Sequence, residues 1–237
     1  MPGAEVTEQT GWAEQPAKAL STSVYHQLRS DLLAGRLRPG EKLRAEGLRQ
    51  RFKIGSSPIR EALNRLLSEG FVSLEDQKGF RVAQVSESEL QELVLARCWI
   101  DGIAITESIR RFDVAWEEAL VLALHRLSKV SRSSHVEAGP DGVWERLHRE
   151  FHCALVSGCG SRWIRRISEQ LFDAAERYRL LAADQISERN ELDEHRAIVE
   201  ACLARNAAKA VEQLEGHFRM TFSVIVHATK FSAESAG

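Results

Sequence analysis

The stretch IGSSPIREALNRLLSEGFVSLEDQKGFRV, residues 54–82, decides the fold. Ile59, Ala62, Leu63, Leu66 and Leu67 fall at i, i+3, i+4, i+7 and i+8 and define one apolar face of a helix. Ser57 is expected as its N-cap and Pro58 as its first residue, where the missing N–H costs nothing. The helix is expected to run to about Glu69 and stop at Gly70. Two short β-prone runs follow, 72–74 and 80–82, joined by a hairpin-type turn over 75–79. The polar face of the helix carries Ser57, Arg60, Glu61, Asn64 and Ser68, with Arg65 on its flank.

Working outward, the first twenty residues hold Glu, Gln, Gly and Pro without apolar periodicity and read as a flexible lead over 1–20. From Thr22 the spacing of Val24, Leu28 and Leu32, widened by Tyr25 and Leu33, predicts a helix that Gly35 closes. A Pro39-Gly40 turn leads to a short helix over about 46–52, and a tight turn through Lys53, Ile54 and Gly55 leads into the quoted stretch. Helix, helix-turn-helix, β-wing is the element order of a winged helix-turn-helix, expected over 21–86.

Arg, Asn and Ser at the start of such a helix suit DNA. Arg forks onto guanine, Asn bonds adenine, and a helix N-terminus attracts phosphate. Arg60, Asn64, Arg65, Ser56 and Ser57 are therefore candidates, with Lys78 and Gly79 at the wing tip for a groove or phosphate contact. The alternative is a solvated face with Arg60 or Arg65 paired to Glu61 or Glu69. Charge adds to the DNA reading. The chain of 237 residues and 26.6 kDa carries a net charge of −2, yet residues 21–85 hold twelve Lys and Arg against seven Asp and Glu, a balance of +5 that leaves −7 for the rest. A small basic segment joined to a larger acidic one suggests two domains with different partners.

Hydrophobic residues at 43% and charged residues at 28% are the balance of a soluble globular protein. No run of eighteen apolar residues points to a membrane span, and the first twenty residues contain no apolar signal region. The four cysteines are scattered without a CxxC pair, which argues against a disulfide framework or thiolate zinc site and for a reducing, cytoplasmic setting.

Residues 87–231 read as an all-α bundle of six to seven helices. The periodicity predicts helices over 88–109, 114–130, 142–156, 162–183, 190–204 and 207–229, with connections at 131–140 and 157–160. Four histidines stand out in it. His148 and His152, at i and i+4, share one helix face; His195 follows after forty-two intervening residues and His217 after a further twenty-one. Neutral imidazoles converging inside a bundle are a route to a divalent metal, although each also fits a surface or core position. The segment HREFH differs from the zinc-protease HExxH. Arg149 holds the place of the general-base Glu, and Glu150 lies about 200° round the helix from His148. Neither a phosphate loop nor a GxSxG elbow is present.

Two resemblances carry the reading further. LLAGRLRPGEKLR (32–44), the quoted SPIREAL core and QKGFRVAQVS (77–86) resemble the DNA-binding domain of GntR-superfamily transcription regulators. The resemblance implies that Arg60 contacts DNA, that Ser56 and Ser57 open the recognition helix, and that Lys78 and Gly79 enter a groove. Many members carry Arg where this sequence has Ser56, and Arg44 is the basic residue placed to compensate. LARCWIDGIAI (95–105), LHREFHCALVSGCGS (147–161) and DEHRAIVEACLARNAAKAVEQLEGHF (193–218) resemble the FCD ligand-binding domain of the FadR subgroup. That resemblance implies a divalent metal, with His152, His195 and His217 matching three family histidines. The family Asp stands where this sequence has His148, so either His148 or water supplies the fourth ligand, and zinc or nickel is favoured. It also implies an effector carboxylate held by Arg97, whose other reading is an i,i+4 pair with Asp101. Tyr178, Arg177 and Trp144 are candidates for lining the pocket, and the sequence does not separate that role from core packing. HREFH, GCGS and LFDAAERYR look most like regulators of small dicarboxylates such as glutarate.

The sequence is thus expected to encode a homodimeric repressor that binds a double-stranded operator and is released by a small carboxylic acid at a metal site. The rivals are a regulator sensing the ion itself and a metal-dependent enzyme using the histidines.

Overall fold

The computed structural model describes residues 17–76, 78–130, 142–182 and 190–229. Two compact units are present. One holds Met1–Asp31 and Leu37–Ala83, the other Leu32–Arg36 and Gln84–Gly237.

In the first unit, α1 (Ala17–Leu33) is followed by β1 (Lys42–Leu43), α2 (Ala45–Phe52), α3 (Ser56–Ser68), β2 (Val72–Glu75) and β3 (Gly79–Val82). The strands form a three-stranded antiparallel sheet in the order β1-β3-β2, with Leu43 opposite Phe80 and Val72 opposite Val82. The apolar face of α3 is buried through Ile59, Ala62, Leu63 and Leu66, as its spacing requires. Val24 and Leu28 of α1, Leu48 of α2, and Phe71, Val72 and Val82 of the wing complete this core. Tight corners are made where φ is positive: Gly40 at 77°, Gly70 at 77° and, without a glycine, Lys53 at 52°.

Three expectations for this unit need correction. Helix α1 starts at Ala17, five residues before Thr22, because the apolar stripe marks only the buried part of a helix; residues 1–16 of the expected lead lie outside the described residues. The N-cap of α3 is Gly55, not Ser57, and Ser56 is the first helical residue. Pro58 is accommodated third because the opening N–H groups of any helix lack intrahelical partners. Strand β1 was not expected; its two residues exist as a strand only through pairing with Arg81 and Phe80.

The second unit contains, among the described residues, six helices: α4 (Glu87–Arg111), α5 (Val114–Ser128), α6 (Val143–Ser157), α7 (Arg162–Leu181), α8 (Glu191–Leu203) and α9 (Ala207–Thr229). The expected helices all form, with ends shifted by no more than two residues. The expected connection 131–140, Ala183 and the expected domain end at residue 231 lie outside the described residues. Polar caps open three helices: the Ser86 hydroxyl accepts from the Glu89 N–H, the Asp113 carboxylate from Ala115, and the Ser161 hydroxyl from Ile164. Helix α4 packs on α7 and α9, α5 on α6, and α8 on α9. One core gathers Ile105, Leu120, Phe151, Leu155, Ile198 and Leu214. A second, around Leu90, Tyr178, Ala182 and Ile225, fills another region of the bundle. The four histidines are buried among these helices.

Candidate nucleic-acid interface and metal centre

Helix α3 turns Ser56, Ser57, Arg60, Glu61, Asn64 and Ser68 outward, and all are exposed. Successive residues rotate by 100°, so the buried set centred on Ile59 and Leu66 forces this polar set onto the opposite side. Arg44, at the N-cap of α2, and Arg60 are exposed, and among the described residues neither has an ion-pair partner. Arg65 is placed differently. Its guanidinium carbon lies 3.6 Å from the centre of the Tyr25 ring and its Nε stands 3.4 Å from Glu69, which also accepts the Tyr25 hydroxyl at 2.7 Å. Arg65 thus ties α1 to the recognition helix, the pairing that the alternative reading gave it with Glu69. At the wing tip Lys78 is exposed, 4.0 Å from Glu75, and Gly79 has φ of 84° with open space where a Cβ would point. A side chain there would be strained, and its absence leaves the turn free to approach a surface closely.

In the second unit His148 and His152 on α6, His195 on α8 and His217 on α9 converge. Their ligating atoms all lie within 4.8 Å of one another, and all four rings are buried. The Nε2 atoms of His148 and His152 are 3.1 Å apart. Nitrogen ligands at the usual zinc distance in a tetrahedron stand about 3.4 Å apart, so small rotations would seat an ion. The rings are held from outside. His148 stacks on Trp144 with centroids 4.5 Å apart at 16°, and Phe151 and Phe172 pack on the cluster. His217 Nδ1 donates to Glu194 at 2.9 Å, which leaves Nε2 as its ligating atom. Sequence reading missed Glu194, although its place beside His195 is the signal that could have found it.

Burial, and then the neighbouring imidazoles and arginines, holds His148 and His152 well below the ordinary histidine value of about 6.5. Both rings are neutral at pH 7, as ligation requires. The sign of the pH effect follows. Below pH ~6.5 the unfolded chain takes up protons that the folded one refuses, so stability is full above that pH and falls beneath it. The slope approaches roughly 1.4 kcal/mol per pH unit for each ring until the folded rings titrate. Urea unfolding in chelator at pH 7.5, 6.0 and 5.0 should show this decline; a midpoint that holds or rises on acidification would contradict it.

Beside the histidines opens a narrow cavity. Leu90, Val94 and Arg97 of α4 face it, as do Phe172, Ala175, Glu176 and Arg179 of α7 and His217, Phe218, Thr221 and Phe222 of α9. On α7 these residues fall at i, i+3, i+4 and i+7, one helix face. Tyr178 is one step off that face and does not line the cavity; its ring belongs to the second core and its hydroxyl donates to the exposed Glu89. Arg179 is a second residue that sequence reading missed. It pairs with Glu176 and lies 4.7 Å over Trp144. Burial opposes its charge, but Glu176, helped by Glu191 and Glu145, more than restores it.

Arg97 does face the cavity, and it also makes the expected pair with Asp101, at 3.6 Å. Burial depresses the Arg97 pKa and raises that of Asp101, the pairing being too weak to offset desolvation. Arg97 Nε and Nη2 are buried without a hydrogen-bond partner, and the guanidinium lies 3.9 Å over Phe218. Such a cation favours a further anion, because buried donors left unpaired are costly. Glu150 is exposed and weakly paired to Arg146, away from the histidines, so no general base stands at the cluster in the position of a zinc protease.

Among the described residues no helix is long and apolar enough to cross a membrane. Residues 20–82 match the family described as "Bacterial regulatory proteins, gntR family" and residues 92–220 match the FCD domain. The chain is 35% identical over 211 residues to the HTH-type transcriptional repressor GlaR of Escherichia coli (strain K12), covering 86% of this chain and 94% of that protein. It is 33% identical over 210 residues to the HTH-type transcriptional regulator BphR of Paraburkholderia xenovorans (strain LB400), covering 88% and 86%. The solved structure of E. coli McbR/YncC shares the fold, with a TM-score of 0.70 at 20% identity over 88% of this chain and 97% of that one. These domains and relatives are those of regulators, not enzymes. The chain belongs to the GntR family of DNA-binding transcription regulators, its winged helix-turn-helix followed by an FCD domain.

Proposed function

We propose that this regulator is a cytoplasmic, homodimeric repressor, released from its operator by a small carboxylic acid bound beside a divalent metal in the FCD domain. Its relative GlaR is named a repressor, which supports the sign of regulation. The observation that carries the reading is the convergence of four buried imidazoles within 4.8 Å next to Arg97, whose Nη2 is buried without a hydrogen-bond partner and whose Nε has only the 3.6 Å pair with Asp101. His148, His152, His195 and His217 would hold the ion, and an all-imidazole set suits zinc or nickel better than harder ions. An ion held there would supply positive charge to stabilise a carboxylate. Arg97 offers its fork to the same carboxylate, Phe172 and Phe218 exclude water around it, and Arg179 sets a second positive group in the cavity wall for a second carboxylate. A dicarboxylate such as glutarate fits those two charges.

In the DNA-binding unit, Arg60 and Asn64 would read base edges from α3, while Ser56, Ser57, Arg44, Arg65, Lys78 and Gly79 meet the backbone or groove. Arg60→Ala should weaken specific binding by roughly 1–3 kcal/mol. The test is a gel-shift series at fixed salt on DNA that the full chain selects from a random pool. Unchanged affinity would remove Arg60 from the reading. Adding glutarate to the metal-loaded protein in the same assay should release the DNA, whereas release by zinc alone would point to a sensor of the ion.

A further inference from the structure

The tip of the wing carries more acid than its expected partner tolerates. Glu75 and Asp76 lead into the turn and Lys78 leads out, so two carboxylates stand against one ammonium. Double-stranded DNA presents one negative charge per about 1.7 Å of its axis and repels such a tip. The same turn threatens Lys78. Its N–H donates to the Glu75 carbonyl at 3.1 Å, which closes the turn and makes the two side chains neighbours. Left to itself, Glu75 would take Lys78 as its partner and withdraw it from the DNA backbone.

Arg81 competes for that carboxylate and stands closer to it. The residue lies on β3, the middle strand, opposite Lys42 of β1 and Ser73 of β2, so its backbone is fixed from both sides. Its Nε is 2.9 Å from Oε1 of Glu75, whereas Lys78 Nζ is 4.0 Å from Oε2. Its Nη1 donates to the Gly40 carbonyl at 3.0 Å. One planar fork thus joins the wing to the Pro39-Gly40 turn, a double engagement that suits a guanidinium better than an ammonium. Exposure divides the same way: the Arg81 and Glu75 side chains are 33% and 39% exposed, that of Lys78 69%. We propose that Arg81 is the positioning residue of the wing: it cancels the charge of Glu75 and ties it to the Pro39-Gly40 turn, so that Lys78 is left to meet the DNA backbone. Arg81 acts through Lys78, without a DNA contact of its own. The inference rests on the contact proposed above for Lys78 and adds what makes that contact available.

Binding of the full chain to its selected DNA over a range of salt concentrations tests it. Lys78→Ala should weaken binding and flatten the plot of log affinity against log salt by about 0.9, the share of one phosphate. Arg81→Gln should weaken binding roughly 10-fold and flatten the plot equally, because Glu75 then captures Lys78. In that background Lys78→Ala should cost little more. Adding Glu75→Gln to Arg81→Gln should bring affinity back to within roughly threefold of the wild type and restore the slope. That rescue separates charge from packing. A chain that Arg81→Gln merely unsettles, or an Arg81 that binds phosphate directly, would not regain the slope. Unchanged binding by Arg81→Gln, or a loss that Glu75→Gln does not restore, would overturn this inference alone. Unchanged affinity and slope in Lys78→Ala would overturn the wing contact, and this inference with it.

Discussion

His217→Ala is expected to empty the metal centre and to lower the melting temperature by roughly 10 °C. The figure follows from linkage. An ion present at a thousandfold excess over its Kd stabilises the folded state by about 4 kcal/mol, and a unit of this size shifts by about 2–4 °C per kcal/mol. Because the Glu194 bond fixes the tautomer of His217, losing this residue removes both a ligand and its orientation. His195→Ala should do the same. Each substitution also leaves a small hole, so the decisive comparison uses chelator. Chelation should lower the wild-type melting temperature by a similar amount and leave the variants where they are. Elemental analysis should find about one divalent ion per wild-type chain. A metal-free wild-type protein that melts identically with and without chelator would contradict the centre. His148→Ala separates the two forms of the site: retained metal means that water fills the fourth position.

The second large effect is the coupling between acid and DNA. A ligand shifts an equilibrium only through its different affinity for the two states. Coupling of about 1–3 kcal/mol, the usual range, means that glutarate should weaken operator binding some 5–150-fold. Arg97→Lys should lose most of this response while retaining the buried charge opposite Asp101, because an ammonium lacks the fork that takes a carboxylate with two parallel bonds. Arg97→Ala is the poorer test, since it strands a buried carboxylate and destabilises the unit outright. An Arg97→Lys variant that responds to glutarate like the wild type would move the acid elsewhere.

Much of this architecture was legible because helices announce themselves by period. The apolar face of α3 and the six helices of the second unit are long and amphipathic, and their limits fall within two residues of expectation. What was not legible depends on contacts distant in sequence. Strand β1 is two residues long and has no alternation to read; it follows from the place of Arg81 and Phe80. The cap of α3 is set by the turn through Lys53 and Gly55, whose left-handed and extended conformations no side-chain cap reveals.

The candidate site divides along the same line. His148 and His152 are neighbours by helical spacing, but their meeting with His195 and His217 depends on how α6, α8 and α9 pack. The resemblance to the FCD domain, not the spacing, pointed to it. Tyr178 was expected in the cavity and Arg179 faces it instead. One residue is a 100° turn of the helix, and only packing against α4 and α9 decides which of the two looks inward. Arg65 divides in the same way: its place on the flank of α3 follows from helical spacing, whereas its contact with the Tyr25 ring, distant in sequence, does not.

The central claim is that the acid site and the operator site are linked, and linkage is reciprocal. The most direct measurement is calorimetric titration of glutarate into the metal-loaded chain, once alone and once saturated with its selected operator. The account predicts weaker glutarate binding in the presence of operator, by the same roughly 5–150-fold factor with which glutarate weakens the operator. Equal glutarate affinities in the two titrations would contradict it and show that the four-histidine cavity, whatever it binds, is not the switch.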